Sequence, residues 1–240
     1  MKKIFLIFLS LIFAVVLGGL LVGGYFGVVP YFSSLFGSDK PRDLGVPYTK
    51  EDFDSYIKKV DYQLEKSKSV NSPLGVDFSG EVEIKQTLTK EEVSARLNYA
   101  PWKYMPIKNV QVNFPEKDTV EFSANLLVER IPEFLSAVGF SGVSQEDIDK
   151  GLKYVKAVNP PIYAKGKVSV SENKVDVNLI SVEVGRIPVP FEDYDGNKIV
   201  KTVAERIFSL VPNFYAKSVV FSPEGMFFEG KAPTKGAVLE

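Results

Sequence analysis

Between Ile4 and Val29 the chain presents only two residues that are neither apolar nor glycine, Ser10 and Tyr25. A run of that length suits a bilayer crossing, which takes about 20 apolar residues. It outlasts the apolar core of a cleavable signal peptide, roughly 7–15 residues ending in a small-residue cleavage site, because it continues through Leu20, Leu21, Val22, Tyr25 and Phe26. We read it as an uncleaved anchor. Lys2 and Lys3 ahead of it keep the N-terminus in the cytoplasm by the positive-inside tendency, an asymmetry that Lys40 and Arg42 beyond it weaken. The rest of the chain is then expected on the outer face of a bacterial-type cell membrane. Gly19, Gly23 and Gly27 recur every four residues, which on a continuous helix makes one face open to a second helix. That gives a candidate for self-association, although glycine is common in membrane helices in any case, and the plainer reading is favoured.

Residues 30–48 read as a juxtamembrane linker, since Ser33, Ser34, Gly37, Ser38, Pro41, Gly45 and Pro47 cannot sustain a long regular element. Residues 49–74 read as an amphipathic helix and loop. Thr49 and Asp52 start the helix, and Phe53, Tyr56, Ile57, Val60 and Leu64 form its apolar face over about 50–66. Residues 75–240 read as one α+β domain. Val82, Ile84 and Leu88 have the period of a half-buried strand, and Thr89-x-x-Glu92 is a capping box launching a helix with Val93 and Leu97 on one face.

Three hairpins follow from alternation and turn residues. The first runs Val110–Phe114 to Val120–Val128 across Pro115–Asp118, with Glu121, Ser123 and Asn125 on a wet face. The second joins Val168 and Val170 to Val175, Val177 and Leu179, where a change of parity at Leu179-Ile180 predicts a β-bulge. The third joins Val219–Phe221 to Met226–Phe228. Helices are expected at Ile131–Val138, from Ser144 to Val155, and over Ile199, Val200, Val203, Ile207 and Leu210. Segments 109–124 and 217–232 share a strand, Pro-Glu turn and strand after a helix, as helix-plus-hairpin units used twice would. The fold class expected is α+β: an N-terminal transmembrane helix, then a curved antiparallel sheet of hairpins packed against several amphipathic helices.

Chemistry is constrained by absence. With no His and no Cys, thiol nucleophiles, Ser-His pairs, imidazole bases and ordinary zinc sites are closed. With 29 basic against 30 acidic residues there is no excess of positive charge for a nucleic-acid backbone. The Glu192-Asp193-Tyr194-Asp195-Gly196 loop lacks calcium-loop spacing and reads as a solvated turn. We expect no catalytic residue, no metal and no cofactor. Trp102, Tyr104 and Met105, beside Lys103 and between Pro101 and Pro106, suit a membrane interface as well as the end of a core.

The capping box before Leu97-Asn98, the repeated amphipathic hairpins and the terminal Ser218-Val-Val-Phe…Gly225-Met-Phe-Phe-Glu-Gly230 resemble, over roughly residues 75–233, the YpmS-like and LmeA-like membrane-anchored domains of bacteria. The resemblance implies a curved sheet wrapped around helices, like the tubular lipid-binding proteins, with membrane lipid as partner and no catalytic residues. On that reading Phe122, Leu126, Phe134, Leu135 and Phe221 are candidates for contact with acyl chains in an apolar cavity, and Trp102, Tyr104 and Met105 for its portal. The alternative is a non-enzymatic interaction module of the cell envelope with a solid core.

Overall fold

The computed structural model describes residues 2–27, 29–140 and 159–239; the helix expected at Ser144–Val155 lies outside them. The first helix, α1, spans Lys2–Tyr25, about 36 Å at 1.5 Å per residue. Among the described residues no helix is long and apolar enough to cross a membrane. Gly27 does not extend the expected glycine stripe. It lies in the turn after α1 with φ +82°, where an added Cβ would stand 2.8 Å from the Ser38 carbonyl oxygen. Gly19 faces open space, and the close approach falls to Gly24, against which Phe32 of α2 (Pro30–Leu35) packs.

Beyond α2 the chain forms no regular element until residue 50, as its composition predicts, yet it is not loose. Asn125 donates to the Asp39 carbonyl at 2.9 Å, Gln111 accepts the Leu44 N–H at 2.7 Å, and Arg42 pairs with Glu183 at 2.8 Å while lying 3.7 Å over the Tyr163 ring. Val46 is only 1% exposed. This strap covers the sheet face expected to be wet, so Ser123 and Asn125 are buried.

Both capping boxes form. The Thr49 hydroxyl accepts from Asp52 N and the Asp52 carboxylate from Thr49 N, starting α3 (Lys50–Lys59); Thr89 and Glu92 do the same for α4 (Lys90–Tyr99). The predicted helix to residue 66 stops early. Asp61 takes φ 47°, and the chain re-emerges as strand β1 (Gln63–Ser67). Its partner is unreadable locally. β1 pairs in parallel with β11 (Lys235–Leu239) at the far end of the sequence, and β11 pairs antiparallel with β2 (Val76–Ser79), making a three-stranded sheet.

The larger sheet contains the expected hairpins and curls into a half-barrel. β3 (Val82–Leu88), β10 (Gly225–Ala232) and β9 (Tyr215–Ser222) form one panel, and β4 (Ile107–Asn113) and β5 (Thr119–Leu126) another. Both meet β6 (Pro161–Ser171). β7 (Lys174–Val184) occupies one edge of β6 along its length, so β5, paired to Pro161–Lys167, and β9, paired to Val170 and Ser171, share the other. The β6–β7 turn is Glu172-Asn173, both residues with positive φ, as a two-residue hairpin demands. The bulge falls where the parity changes: Gly166 faces Leu179 and Lys165 faces Ser181, leaving Ile180 as the extra, outward residue. A two-residue strand β8 (Ile187–Pro188) continues from β7.

Among the described residues the remaining α-helices are α5 (Ile131–Ala137) and α6 (Gly196–Leu210). α6 lies along β7, held by two side chains eight residues apart: Asn197 accepts the Leu179 N–H at 2.8 Å and Glu205 the Val175 N–H at 3.0 Å. Its inward face is rotated from the predicted one. Ile199 and Val200 are exposed, and Ala204, Ile207 and Phe208 look inward.

Candidate functional site

Amphipathic helices normally bury their apolar face, yet none of the 15 residues of α6 is fully buried. The space it faces is a cavity of about 590 Å³. Ala204, Ile207, Phe208 and Val211 form one wall; the panel opposite contributes Ile84, Leu88, Val219, Phe221 and Phe228. The small sheet adds Leu64, Val76, Phe78 and Val238, and the loop after α4 adds Ala100, Pro101, Trp102 and Met105. The size lies within the range of about 300–1,000 Å³ typical of ligand pockets.

Its long dimension follows from strand register. Ile107 pairs with Leu126 and Asn125 with Pro161, so Met105, two residues before Ile107, stands near the Pro161 end of β6. Val168 and Val170, at the other end of the lining, lie roughly 23–30 Å along β6 from Pro161 at about 3.3 Å per residue. The cavity is thus elongated, running roughly 25 Å from one end of its lining to the other. A space of that length and lining suits an extended hydrocarbon chain.

Polar groups are few along this lining. The Trp102 indole N–H donates to the Leu74 carbonyl at 2.7 Å. Tyr56 of α3, Tyr62 ahead of β1 and Arg96 of α4 come together on one wall, the Arg96 guanidinium 5.8 and 6.0 Å from the two ring centres. Burial pushes the Tyr62 hydroxyl up from its ordinary value; Arg96 pulls the other way and Tyr56 adds to the rise. The Tyr62 side chain has no slack, because a Cβ at Gly236 of β11 would run into its hydroxyl. The α3–α4 pair presenting these groups is clamped by Glu92, which is 4% exposed and accepts from Ser55 Oγ at 2.6 Å, Lys59 Nζ at 2.8 Å and Thr89 N at 2.8 Å.

Of the residues expected to meet acyl chains, Phe221 lines the cavity. Phe122 packs in the core cluster without lining it, and Phe134 stacks edge-on against Trp102 at 5.8 Å. Leu126 and Leu135 are half-buried away from the lining. Of the portal candidates, Trp102 and Met105 line the cavity at the end nearest the α1 junction, whereas Tyr104 packs on Gly75 of the loop before β2. Sequence reasoning missed the wall from α6 and the β1–β11–β2 sheet. An i, i+3, i+4, i+7 series at Ala204, Ile207, Phe208 and Val211 was available for α6, but nothing local marks β11. The acidic loop forms a turn of 3₁₀ helix at Phe191–Tyr194, and among the described residues no group of acidic side chains is gathered to hold a metal ion.

Compared with protein families, with characterised proteins and with solved structures, the chain finds no significant match in any of the three.

Proposed function

We propose that this chain is a membrane-anchored, non-enzymatic lipid-binding domain on the outer face of the cell membrane, holding acyl chains in the cavity beneath α6. The observation that carries the reading is that cavity: about 590 Å³, elongated, and lined almost wholly by apolar side chains. A water-filled void of this lining would be unfavourable, since buried water needs two to four polar partners. An apolar occupant needs no titratable group, which accords with a chain lacking His and Cys.

The anchor rests on the apolar run Ile4–Val29, of which α1 holds the part up to Tyr25 as helix, while among the described residues no helix reaches the length and apolarity of a crossing. Self-association through α1 stays within the proposal only at Gly19 and Gly23, since Gly27 packs inside the chain. The resemblance to YpmS-like and LmeA-like domains points to the same class of ligand.

Native mass spectrometry of the full chain from bacterial membranes, followed by organic extraction, tests the reading. A stoichiometric acyl lipid is expected, together with quenching of Trp102, the sole tryptophan, by a bromine-labelled fatty acid. A clean apo mass with no quenching would refute it and favour an envelope interaction module instead.

A further inference from the structure

Arg96 is the one charged residue among those lining the cavity, and it stands where an apolar wall gives it little to do. A cation in the last turn of a helix is favoured by the carbonyl ends of the backbone. That accounts for an arginine near residue 96 but not for one turned to the cavity between Tyr56 and Tyr62. At 5.8 and 6.0 Å the two rings are at the outer limit of cation–π attraction. Among the described residues its guanidinium has no carboxylate partner and no hydrogen bond to a side chain or carbonyl; the residue is part-exposed, and its fork of N–H donors is open to water or to an occupant of the cavity. An apolar occupant that drove water from the cavity would strip this guanidinium of its solvent, which is costly unless the occupant itself supplies an acceptor. Tyr56 and Tyr62 bring hydroxyls to the same wall, the Tyr62 one packed against Gly236 and kept protonated by burial. A guanidinium that can only donate, on a wall with two hydroxyls that can also donate, suits an acceptor with several lone pairs and a negative charge.

We propose that Arg96, with Tyr56 and Tyr62, binds the oxyanion headgroup, carboxylate or phosphate, of an amphiphile whose hydrocarbon occupies the cavity. The inference rests on the lipid-binding reading and narrows its ligand to an anionic lipid. It explains why the polar groups are confined to one wall while the remaining lining is hydrocarbon. An arginine fork matches either oxyanion bidentately, and such charge-assisted bonds are stronger than neutral ones.

The test titrates the full chain, held in amphipol, with dibromooctadecanoate and with dibromooctadecanol, reading quenching of Trp102. The wild type is expected to bind the acid about tenfold or more tightly than the alcohol. In Arg96→Gln that ratio should collapse to about one, and Arg96→Lys, which keeps the charge without the fork, should recover part of it. Octadecyl phosphate competing as well as octadecanoate would extend the headgroup to phosphates. Competition by inorganic phosphate alone would instead make this a free-anion site and overturn the lipid assignment. Equal binding of acid and alcohol by the wild type, or a ratio that survives Arg96→Gln, overturns the inference and leaves the lipid reading standing. Failure of both ligands to quench Trp102 overturns the two together.

Discussion

Replacing Ala204 by Phe distinguishes a chamber from a filled core by the sign of one number. Ala204 sits mid-way along α6 with its side chain on the cavity wall. The substitution adds roughly 100 Å³ of apolar volume, which at about 24 cal/mol per Å³ of void removed is worth up to ~2.4 kcal/mol. Phe is a poorer helix former than Ala by about 0.5 kcal/mol, leaving a net gain of about 1–2 kcal/mol. At roughly 2–4 °C per kcal/mol for a domain of this size, the melting temperature of ligand-stripped protein should rise by about 2–8 °C. In a close-packed interior the same ring would force neighbours off their rotamers and cost about 1–3 kcal/mol. Thermal unfolding by circular dichroism, with the variant and wild type both delipidated on hydrophobic resin, reads the difference. The variant should also lose capacity for a brominated fatty acid, because the ring occupies the bore. A fall of several degrees with fatty-acid binding intact would refute the cavity argument.

Other consequences are as direct. Glu92→Ala removes one buried carboxylate from three donors; with Lys59 a third exposed and able to turn to water, we expect a loss of about 2–3 kcal/mol, measurable by urea unfolding, and no more than half of that in Glu92→Gln. The Glu121 carboxyl is pushed up by burial but held below its ordinary 4.5 by hydrogen bonds from Asn113, Tyr163 and Lys165. Its stabilisation is therefore full above about pH 4.5 and lost as pH falls through the lowered value, so the melting-temperature gap between wild type and Glu121→Gln should be constant from neutrality to about pH 5 and close below it. Gly185→Val puts a branched side chain at φ +65° against the Phe26 carbonyl oxygen, and should expose residues 36–47 to limited proteolysis without shifting the domain's melting temperature by more than a few degrees.

Local patterns foretold the local parts of this molecule. The two capping boxes, the Pro115–Asp118 and Glu172-Asn173 turns and the bulge at Ile180 each depend on residues within a few positions of one another, and each forms where the sequence places it. Readings failed where a distant segment decided. Leu64 continues the helical period of Tyr56 and Val60, but pairing with Gly236 turns it into a strand, and that partner lies 172 positions on. Ser123 and Asn125 alternate as a solvated face would, yet the strap from Asp39 to Val46 covers them. The cavity was hidden for the same reason: apolar residues at regular spacing specify which side faces in, not whether neighbours meet there. Arg96 stands three residues after Val93 and one before Leu97 with no local sign that it joins the wall.

The junction after α1 decides how far such a domain can reach. A free linker over residues 30–48 would let it wander roughly 22–26 Å from its mooring, at about 5–6 Å times the square root of the residue number. Here Ser38 donates to the Gly24 carbonyl, Arg186 donates from its backbone to Phe26 at 3.2 Å and from its guanidinium to Phe36 at 3.0 Å, and the same guanidinium lies 4.7 Å over Tyr25. The tether is thus folded away. In the membrane-held arrangement proposed above, the Trp102–Met105 end of the bore keeps one height and one heading over the lipid surface, so its search for cargo becomes diffusion in two dimensions. Carriage across a wider gap would fall to a separate molecule that comes to meet it.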